Sequence, residues 1–369
     1  MKHPIRSIAA VVLWVASAAA RADILIGQTS GFTGPAAGSV KELAAGASLF
    51  IDETNRHGGV DGQPIRLIQL DDQFDPALAA SNAGKLIVED NVLALFAARG
   101  TPHTQAILPL LAKYRIAMIA PSTGALALRT PVNPYVFNVR ATYQREAERT
   151  IVHLGTIGLT RIAVLYADDS FGSDALAGAR QGFATIHRSP CVLDAIDRDK
   201  PDFSAVVPRI LKEDAQAVLI IGAATSVVQG TAAIRAAGSR AQIATLSNNA
   251  SDAFVRAMGS NAYGTIVSQV YPSERSLSTP VTKEAFDMAT AKGIALTPSM
   301  MEGFVGARVL VEALRRAGPA PTREKVIAAL DGMSRYDIGG MVLSYSRANH
   351  YGLDYVDLAI IGPKGQFTR

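Results

Sequence analysis

The stretch FIDETNRHGGVDGQPIRLIQLDDQFDP, residues Phe50–Pro76, predicts a helix, a turn, a strand and the start of a second helix. The glycine pair at 58–59 ends the first helix, because glycine readily adopts the positive φ that a helix C-terminus needs. An Asp-Gly turn then leads into an apolar strand from Ile65. Asp75–Pro76 begins the next helix, with the aspartate as N-cap and the proline in the first helical position.

Asp71 and Asp72 stand at the carboxyl end of that strand, where ligands of parallel sheets commonly bind. Neighbouring strand residues point to opposite faces, so the two carboxylates are not expected to share a metal ion. We therefore favour loop hydrogen bonding for this pair over a metal site or acid–base catalysis.

Apolar strands and helical segments continue to alternate along the chain. Predicted strands include IRLIQLDD (65–72), VLALFAAR (92–99), IAMIAPS (116–122), RIAVLYADD (161–169), AVLIIGAA (217–224) and IATLSNN (243–249). Predicted helices include PALAASNAGKLIVED (76–90), HTQAILPLLAKY (103–114), GSDALAGARQGFATI (172–186) and TSVVQGTAAIRAAG (225–238). This order predicts an α/β fold of doubly wound parallel sheets, and 369 residues favour two lobes over one.

The first 22 residues are typical of a secretory signal peptide. Lys2 and Arg6 precede a short apolar run at 8–19, and Ala20–Ala22 offers a small-x-small cleavage site. We expect cleavage after residue 22, which makes the protein an exported, periplasmic one. A buried N-terminal helix is the less favoured alternative.

The charge balance of the remaining chain does not point to nucleic acid. Removing three basic residues with the signal peptide leaves 33 of the 36 against 32 acidic ones, a net charge of +1. No basic run with interleaved aromatic residues occurs, so nucleic acid is not an expected partner. The single cysteine, Cys191, cannot form an internal disulfide. We expect a monomer stabilised by ordinary core packing.

Motifs typical of enzymes are missing from the sequence. SGFTGPAAG lacks the Lys-Ser/Thr of a phosphate-binding loop and the spacing of a dinucleotide fingerprint. Neither a G-x-S-x-G elbow nor an H-E-x-x-H pair occurs, and the six histidines show no metal-ligand spacing. We therefore expect no catalytic residue, no cofactor and no metal.

The order of several motifs resembles that of one family. TSGFTGPAAG and the stretch quoted above are followed by GTPHTQAILPLL, IAMIAPSTG, YVFNVRATYQREAE, YADDSFGSD, IVSQVYP and EGFVGARVLVEALRRAG. Together they resemble periplasmic solute-binding proteins of the leucine/isoleucine/valine type. Such proteins serve ABC importers of branched-chain amino acids, amides and some aromatic acids, and the similarity covers essentially the whole chain after the signal peptide.

The resemblance implies the type I periplasmic binding protein fold, in which two Rossmann-like lobes are joined by a three-crossing hinge. Lobe 1 would comprise residues 23–141 and 270–344, and lobe 2 residues 142–269 and 345–369. The crossings would fall near Arg140–Thr142, Val267–Gln269 and Tyr345–Arg347.

Two strand-to-helix turns are candidates for binding an anion. ARGTPHT leaves one predicted strand, and APSTG leaves the next after Ile119. Backbone N–H groups and hydroxyls at a helix N-terminus favour a carboxylate. The resemblance implies that the Thr101 hydroxyl holds a ligand carboxylate and that Ser122 and Thr123 contribute from the neighbouring loop. Simple N-capping by Thr101 and Ser122 is the alternative.

Four further residues are candidates for the site, from the resemblance or from their place in the predicted fold. Phe171 occupies the place of an aromatic residue that covers the ligand, although it could equally be a core residue. Tyr143 and Arg140 lie at the first crossing, where either could contact ligand or stabilise the hinge. Arg99 could pair with a carboxylate or face solvent.

The position of the family's acidic residue, which pairs with a ligand ammonium, is occupied here by Ser247, with Asn248 beside it. Neither side chain is charged, and burying an unpaired ammonium is costly. We therefore favour a small carboxylate without an amine, such as an aromatic or aliphatic acid, over a branched-chain-type amino acid. Asp169 or Glu302 could replace the missing acid, which leaves the amino acid open.

Two other positions depart from the family pattern. Gly124 stands where relatives commonly have threonine, and Ala223 stands where they have a second aromatic residue. Both differences weaken the expectation of an amino-acid ligand.

The sequence as a whole predicts a non-enzymatic solute-binding protein that closes its lobes on a small ligand and delivers it to an inner-membrane ABC permease. An exported ligand sensor feeding a membrane receptor is the first alternative. An exported hydrolase is a weaker one, because no nucleophile and base are evident.

Overall fold

A computed structural model describes residues 22–369 of the chain. The predicted signal peptide therefore lies outside the described residues except for its last one. None of the helices in the described part has the length and apolar character that crossing a bilayer would demand.

The described residues form fourteen strands and eleven α-helices. The strands are β1 (Ile24–Ser30), β2 (Ile65–Asp71), β3 (Ala94–Phe96), β4 (Met118–Ile119), β5 (Val136–Phe137), β6 (Ile162–Ala167), β7 (Val192–Ile196), β8 (Ala217–Ile221), β9 (Gln242–Thr245), β10 (Ile266–Gln269), β11 (Tyr336–Asp337), β12 (Val342–Leu343), β13 (Asp357–Ile361) and β14 (Phe367–Thr368). The helices are α1 (Ala37–Arg56), α2 (Pro76–Val88), α3 (Thr101–Tyr114), α4 (Tyr143–Thr156), α5 (Ser170–Thr185), α6 (Val206–Lys212), α7 (Ala224–Ala236), α8 (Asp252–Met258), α9 (Pro280–Ala291), α10 (Pro298–Ala317) and α11 (Arg323–Asp331).

Two large sheets define two lobes. The first has the order β2-β1-β3-β4-β5, and all its neighbours are parallel. The second has the order β14-β13-β10-β9-β8-β6-β7, in which only β13 and β14 run antiparallel to their neighbours. Apolar clusters lie on both faces of each sheet, so the predicted α/β fold with two doubly wound lobes is confirmed.

The opening stretch folds as its sequence predicts. Gly58 and Gly59, at φ 93° and 73°, follow the last turn of α1. The Asp75 carboxylate accepts hydrogen bonds from the N–H groups of Ala77 and Leu78, and Pro76 begins α2. The local sequence at the end of α1 and at the start of α2 is therefore sufficient to predict this helix–strand–helix segment.

Asp71 and Asp72 hold loops in place, as expected. Asp71 accepts from the N–H and hydroxyl of Thr33, whereas Asp72 accepts from the Thr29 hydroxyl and the Phe74 N–H. Burial raises the pKa of Asp72 to about 6. The two carboxylates thus serve different partners on opposite sides of the strand.

The chain crosses between the lobes three times: after β5, after β10 and before β13. The predicted lobe boundaries stay a prediction, but contacts at the third crossing bear on one of them. Asn138 N–H donates to the His350 carbonyl and Leu353 N–H to the Val139 carbonyl, so this segment packs with the first lobe. These contacts favour a third boundary near residue 354 rather than 345.

Helices α1 and α10 pack backbone to backbone in the first lobe. A Cβ atom added to Gly303 would lie 1.8 Å from the Leu43 carbonyl oxygen, and one added to Gly46 would lie 1.9 Å from the Met300 carbonyl oxygen. Only glycine at both positions permits this approach, because a methyl group would force the helices apart.

Gly303→Ala is expected to lower the free energy of unfolding by about 1–3 kcal/mol or more, since the added methyl overpacks the helix contact. Urea denaturation followed by circular dichroism measures the change. Gly84→Ala in α2 is the matched control, because the added Cβ would lie 4.0 Å from its nearest neighbour, Leu110 Cδ1. That control should be neutral or stabilising by up to about 1 kcal/mol. Equal effects of the two substitutions would contradict this account.

Candidate functional site

A cleft between the lobes is bounded by the carboxyl ends of both parallel sheets. Its space free of protein atoms, counted together with the adjoining solvent, is about 540 Å³. The first lobe lines it with Ala36, Ser39, Phe74, Arg99, Gly100, Thr101 and Pro102. The second lobe and first crossing add Tyr143, Ala167, Asp169, Phe171, Arg198, Ala223, Ala224, Ser226, Asn248 and Asn249. This is the position at which doubly wound sheets bind ligands.

The seven predicted ligand-binding residues gather at this cleft but in two layers. Four of them line it: Thr101, Tyr143, Phe171 and Asn248. The other three, Ser122, Thr123 and Ser247, are buried behind the lining and hydrogen-bond to it or to its neighbours.

Thr101 is the first residue of α3, after Gly100 at φ 99°. Its N–H therefore belongs to the helix-terminal donors that lack an intrahelical acceptor. Its hydroxyl lies 2.7 Å from that of Thr123 and does not cap the helix. The N-capping alternative for Thr101 is thus wrong, and this helix terminus faces the cleft.

The loop at Ser122 differs from the predicted strand-to-helix turn. No α-helix follows β4; the chain continues beside the end of β3, where Ser122 N–H donates to the Ala98 carbonyl at 2.8 Å. Thr123 N–H donates to the Pro121 carbonyl. These amides already have acceptors, because sheet pairing continues past β4, so a carboxylate would have to rely on other donors.

Arg99 is buried at the cleft, and the alternative of a solvated side chain is wrong. Its guanidinium donates to the Ser122 and Ser39 hydroxyls and, across the cleft, to the Asn248 carbonyl at 2.6 Å. All three acceptors are uncharged, and no carboxylate in the described chain lies within ion-pair distance. A guanidinium has five N–H donors, so two of them have no protein acceptor here.

Arg140 is the opposite case, a buried cation paired with two acids, although its Nε and Nη1 atoms have no hydrogen-bond partner among the described residues. It pairs with Glu146, lies 3.7 Å from Glu302 and donates to the Ser247 hydroxyl. Burial alone would lower the pKa of Arg140, but the two carboxylates raise it above its usual value. Glu146 also accepts from the Ser247 N–H and the Ser268 hydroxyl. Ser247 is therefore part of this network rather than of the cleft wall.

Aromatic rings provide the apolar part of the site. Tyr143 and Phe171 pack edge to face with centroids 4.6 Å apart, and the Arg140 guanidinium lies over the Tyr143 ring. Phe74, from the opposite lobe, stacks with His103 and lies under the Arg198 guanidinium. Rings from both lobes thus approach the same space, which suits an apolar ligand body.

Gly124 has a structural reason to differ from the threonine of relatives. Its added Cβ would lie 2.5 Å from the Tyr143 nitrogen, and its carbonyl accepts from that same N–H. The close contact fixes the start of α4, and with it Tyr143, against the first lobe.

The two acids considered as partners for a ligand ammonium are both engaged. Asp169 caps α5 through the Gly172 N–H and lies 3.4 Å from Arg198. Glu302 accepts from the Ser122 hydroxyl and lies behind it, close to Arg140. An ammonium in the cleft would therefore compete with Arg198 for Asp169 and with Arg140 for Glu302.

The second lobe offers uncharged acceptors instead. Asn248 and Asn249 both donate through Nδ2 to the Gly222 carbonyl, and both Oδ1 atoms are buried without a partner among the described residues. Buried acceptors without partners are unfavourable, so a donor supplied by a ligand or water would stabilise them.

Contacts at the rim join the lobes. The Ser170 hydroxyl donates to Gln105, and Arg198 donates to the Phe74 carbonyl and to His103 Nε2. Burial lowers the pKa of His103 to about 4, and the nearby Arg198 charge adds to the shift. On another part of the rim, Glu42 of α1 accepts from the Ala253 N–H at the start of α8. The lobes are therefore in contact over the cleft.

Residues that sequence reasoning missed share one property: their partners are distant in sequence. Ser39, Phe74 and Arg198 line the cleft, although nothing local marks them as binding residues. The only available signal was position, because each follows the carboxyl end of a predicted or actual strand.

The sequence matches the family described as periplasmic binding protein over residues 23–362. Leu/Ile/Val-binding protein BraC3 of Rhizobium johnstonii is 28% identical over 319 residues, covering 84% of each chain. Leu/Ile/Val-binding protein homolog 3 of Brucella melitensis is 23% identical over 336 residues, covering 89% of each. A substrate-binding periplasmic protein from Ralstonia solanacearum has a similar structure, with a TM-score of 0.86, 32% identity and coverage of 94% of this chain and 99% of that one.

Glu146→Gln is expected to lower the free energy of unfolding by roughly 3–5 kcal/mol, because it leaves the buried Arg140 charge with a single, more distant acid. Chemical denaturation measures this loss. Asp287→Asn breaks the exposed pair with Lys283 and should cost less than about 1 kcal/mol. A Glu146→Gln effect as small as that of the control would show that the network contributes little.

His103 should make the protein sensitive to acid. Its pKa of about 4 lies below the ordinary 6.5, so between these values the unfolded chain binds a proton that the native state does not. The His103 contribution to the free energy of unfolding should fall by about 3 kcal/mol as pH drops through this window, while Asp72, with its pKa raised to about 6, contributes in the opposite direction. His103→Gln should remove that component, whereas exposed His57→Gln should not. Parallel pH profiles for wild type and His103→Gln would refute the assignment.

Proposed function

We propose that this chain, which belongs to the periplasmic binding protein family, captures a small carboxylate-bearing solute between its two lobes and delivers it to an ABC permease. It is of the leucine/isoleucine/valine type, and its relatives are binding proteins, not enzymes. The carboxylate, its anchor and the absence of an amine are the parts of the proposal that need experiment.

The observation that supports a carboxylate is the charge of the cleft lining. Three charged side chains line it: Arg99, Asp169 and Arg198. Asp169 and Arg198 lie 3.4 Å apart and offset each other, whereas Arg99 has only uncharged acceptors. The lining itself therefore carries a net charge of +1 in a buried place, and a monoanion would contact it directly, whereas Glu302 is linked to Arg99 only through the Ser122 hydroxyl.

The same residues argue against an amine on the ligand. An ammonium placed beside the carboxylate would lie close to the Arg99 cation, with Glu302 screened behind Ser122. Asn248 and Asn249 offer only amide oxygens, which suit a neutral donor better than a buried charge. Aliphatic or aromatic acids lacking an amine are therefore the proposed ligand class.

Lobe closure is the proposed mechanism of capture. Arg99 and Thr101 belong to the first lobe, whereas Phe171 and Asn248 belong to the second. A ligand that contacts both sets stabilises the closed arrangement more than the open one, and this difference in affinity drives closure. Arg99 would contact both the ligand anion and the Asn248 carbonyl of the second lobe. Binding of the anion would in this way stabilise a contact that forms only when the lobes are closed.

The proposed site of action is the periplasm, after cleavage of the signal peptide behind Ala22. A monomer that works alone with its permease is the simplest arrangement, and no role in nucleic-acid binding is proposed. Genes for a permease and an ATPase beside this one would support transport. A neighbouring receptor kinase would instead favour sensing.

A matched set of ligands tests the carboxylate and the amine separately. 4-Methylpentanoate should raise the melting temperature, and at about 100 times its dissociation constant it should add roughly 2.7 kcal/mol of stability. 4-Methylpentanamide lacks the charge and leucine adds an ammonium, so both should stabilise much less. Stabilisation by leucine alone would refute the amine-free class, and stabilisation by the amide would refute the role of charge.

Arg99→Met is expected to weaken 4-methylpentanoate binding at least about ten-fold, because a charge-assisted hydrogen bond contributes roughly 1.5–3 kcal/mol. Isothermal titration calorimetry measures the dissociation constant. Arg145→Met is the matched control, since Arg145 forms an exposed pair with Asp354. Thr101→Ala should also weaken binding through loss of the helix-terminal hydroxyl. Unchanged affinity in Arg99→Met would remove the main support for the proposal.

A further inference from the structure

A groove lies next to the cleft, and some residues line both. Ser39 and Ala224 line both spaces, so the groove lies beside the cleft. Its space free of protein atoms, counted together with the solvent at its open side, is about 600 Å³. The two spaces are therefore neighbours that share part of one wall between the lobes.

The walls of the groove are apolar and uncharged. Pro35 contributes from the first lobe, and Val228, Phe254 and Ala257 contribute from α7 and α8 of the second. No charged side chain lines it, and its polar members are hydroxyls and one amide. An anionic group would gain nothing in this groove, whereas a hydrocarbon would be removed from water.

Both lobes meet at the groove without side chains between them. A Cβ atom added to Gly38 would lie 2.3 Å from the Ala253 Cβ, so the first-lobe backbone touches α8 directly. Any occupant of the groove would contact both lobes near this point. Its binding would favour the closed state, as binding in the cleft does.

Small residues stand beside the wall that the two spaces share. Ala223 and Ala224 stand at the end of β8 and the start of α7; both line the cleft, and Ala224 also lines the groove. A large side chain at either position would occupy space beside that wall. Alanine in place of an aromatic residue at position 223 therefore leaves this part of the cleft wider.

We propose that the groove holds the hydrocarbon tail of the ligand whose carboxylate lies at Arg99. The ligand would then be an amphiphilic monocarboxylic acid, longer than a branched-chain amino acid, with its head in the cleft and its tail between Pro35 and α8. This rests on the proposed function, and it takes the ligand to pass from the cleft into the groove where Ser39 and Ala224 line both.

A series of straight-chain carboxylates below their micelle-forming concentrations tests the tail site. Butanoate, hexanoate, octanoate and decanoate are titrated calorimetrically into the wild-type protein. Burial of each added methylene should tighten binding by about four-fold until the groove is filled. The longer acids should therefore bind tens to hundreds of times more tightly than butanoate.

Ala257→Trp fills the groove from an exposed position on α8, so folding should be preserved. The dissociation constant of butanoate should stay unchanged, whereas octanoate should bind at least ten-fold more weakly than it does to the wild-type protein. Ala232→Trp is the matched control, because Ala232 is also an exposed helical alanine but does not line the groove. Its affinity for every acid should equal that of wild type.

The outcomes separate the two proposals. Tight butanoate binding with no gain for longer acids would overturn the tail site and leave the proposed function standing. A chain-length gain that Ala257→Trp does not reduce would also overturn the tail site. If no carboxylate of any length binds, the proposed function fails and the tail site fails with it. If 1-octanol binds as tightly as octanoate, the tail site is not tied to a carboxylate and the proposal is wrong.

Discussion

The buried ion pair between Arg140 and Glu146 is the interaction on which the rest of the structure depends. Each side chain is at most 1% exposed, and removing such charges from water costs several kcal/mol per ion unless every donor and acceptor is used. Glu146 meets this demand through Arg140, Ser247 and Ser268. Arg140 meets it in part, through Glu146, Ser247 and the face of Tyr143, because its Nε and Nη1 atoms have no hydrogen-bond partner in the described chain. These residues come from the first crossing, from α4, from the loop after β9 and from β10 beside the second crossing, so the network joins the segments where the chain passes between lobes.

The contrast between Arg140 and Arg99 separates a structural cation from a binding one. Both are buried near the cleft, but Arg140 has two acids while Arg99 has two serine hydroxyls and a carbonyl. Charge left uncompensated in this way is unfavourable for folding and favourable for binding an anion. The aromatic rings and alanines around Arg99 supply contact area without further charge. The cleft therefore combines one group that favours an anion with a mainly apolar wall.

Local patterns predicted most of the fold and only part of the site. The cap at Asp75, the glycines at 58–59 and the apolar strands depend on neighbours within a few residues, and they were predictable for that reason. The Ser122 loop was not, because its N–H is taken by Ala98 through pairing that the loop's own sequence does not encode. The burial of Arg99 likewise depends on Asn248, a residue from the other lobe. Resemblance placed Thr101 and Phe171 at the cleft, but no local signal distinguished lining residues from those one layer behind.

The close packing of α1 against α10 has a consequence for how the protein is made. The helix at 37–56 is buried by one at 298–317, and the glycines at their crossing leave no room for any other partner. The first lobe therefore cannot complete its core until nearly the whole polypeptide has emerged from the ribosome. Until then its sheet keeps an uncovered apolar face, and contacts between such distant segments form slowly. This delay suits the export that the first 22 residues predict, since the earliest segments stay unfolded while the later ones are still being synthesised.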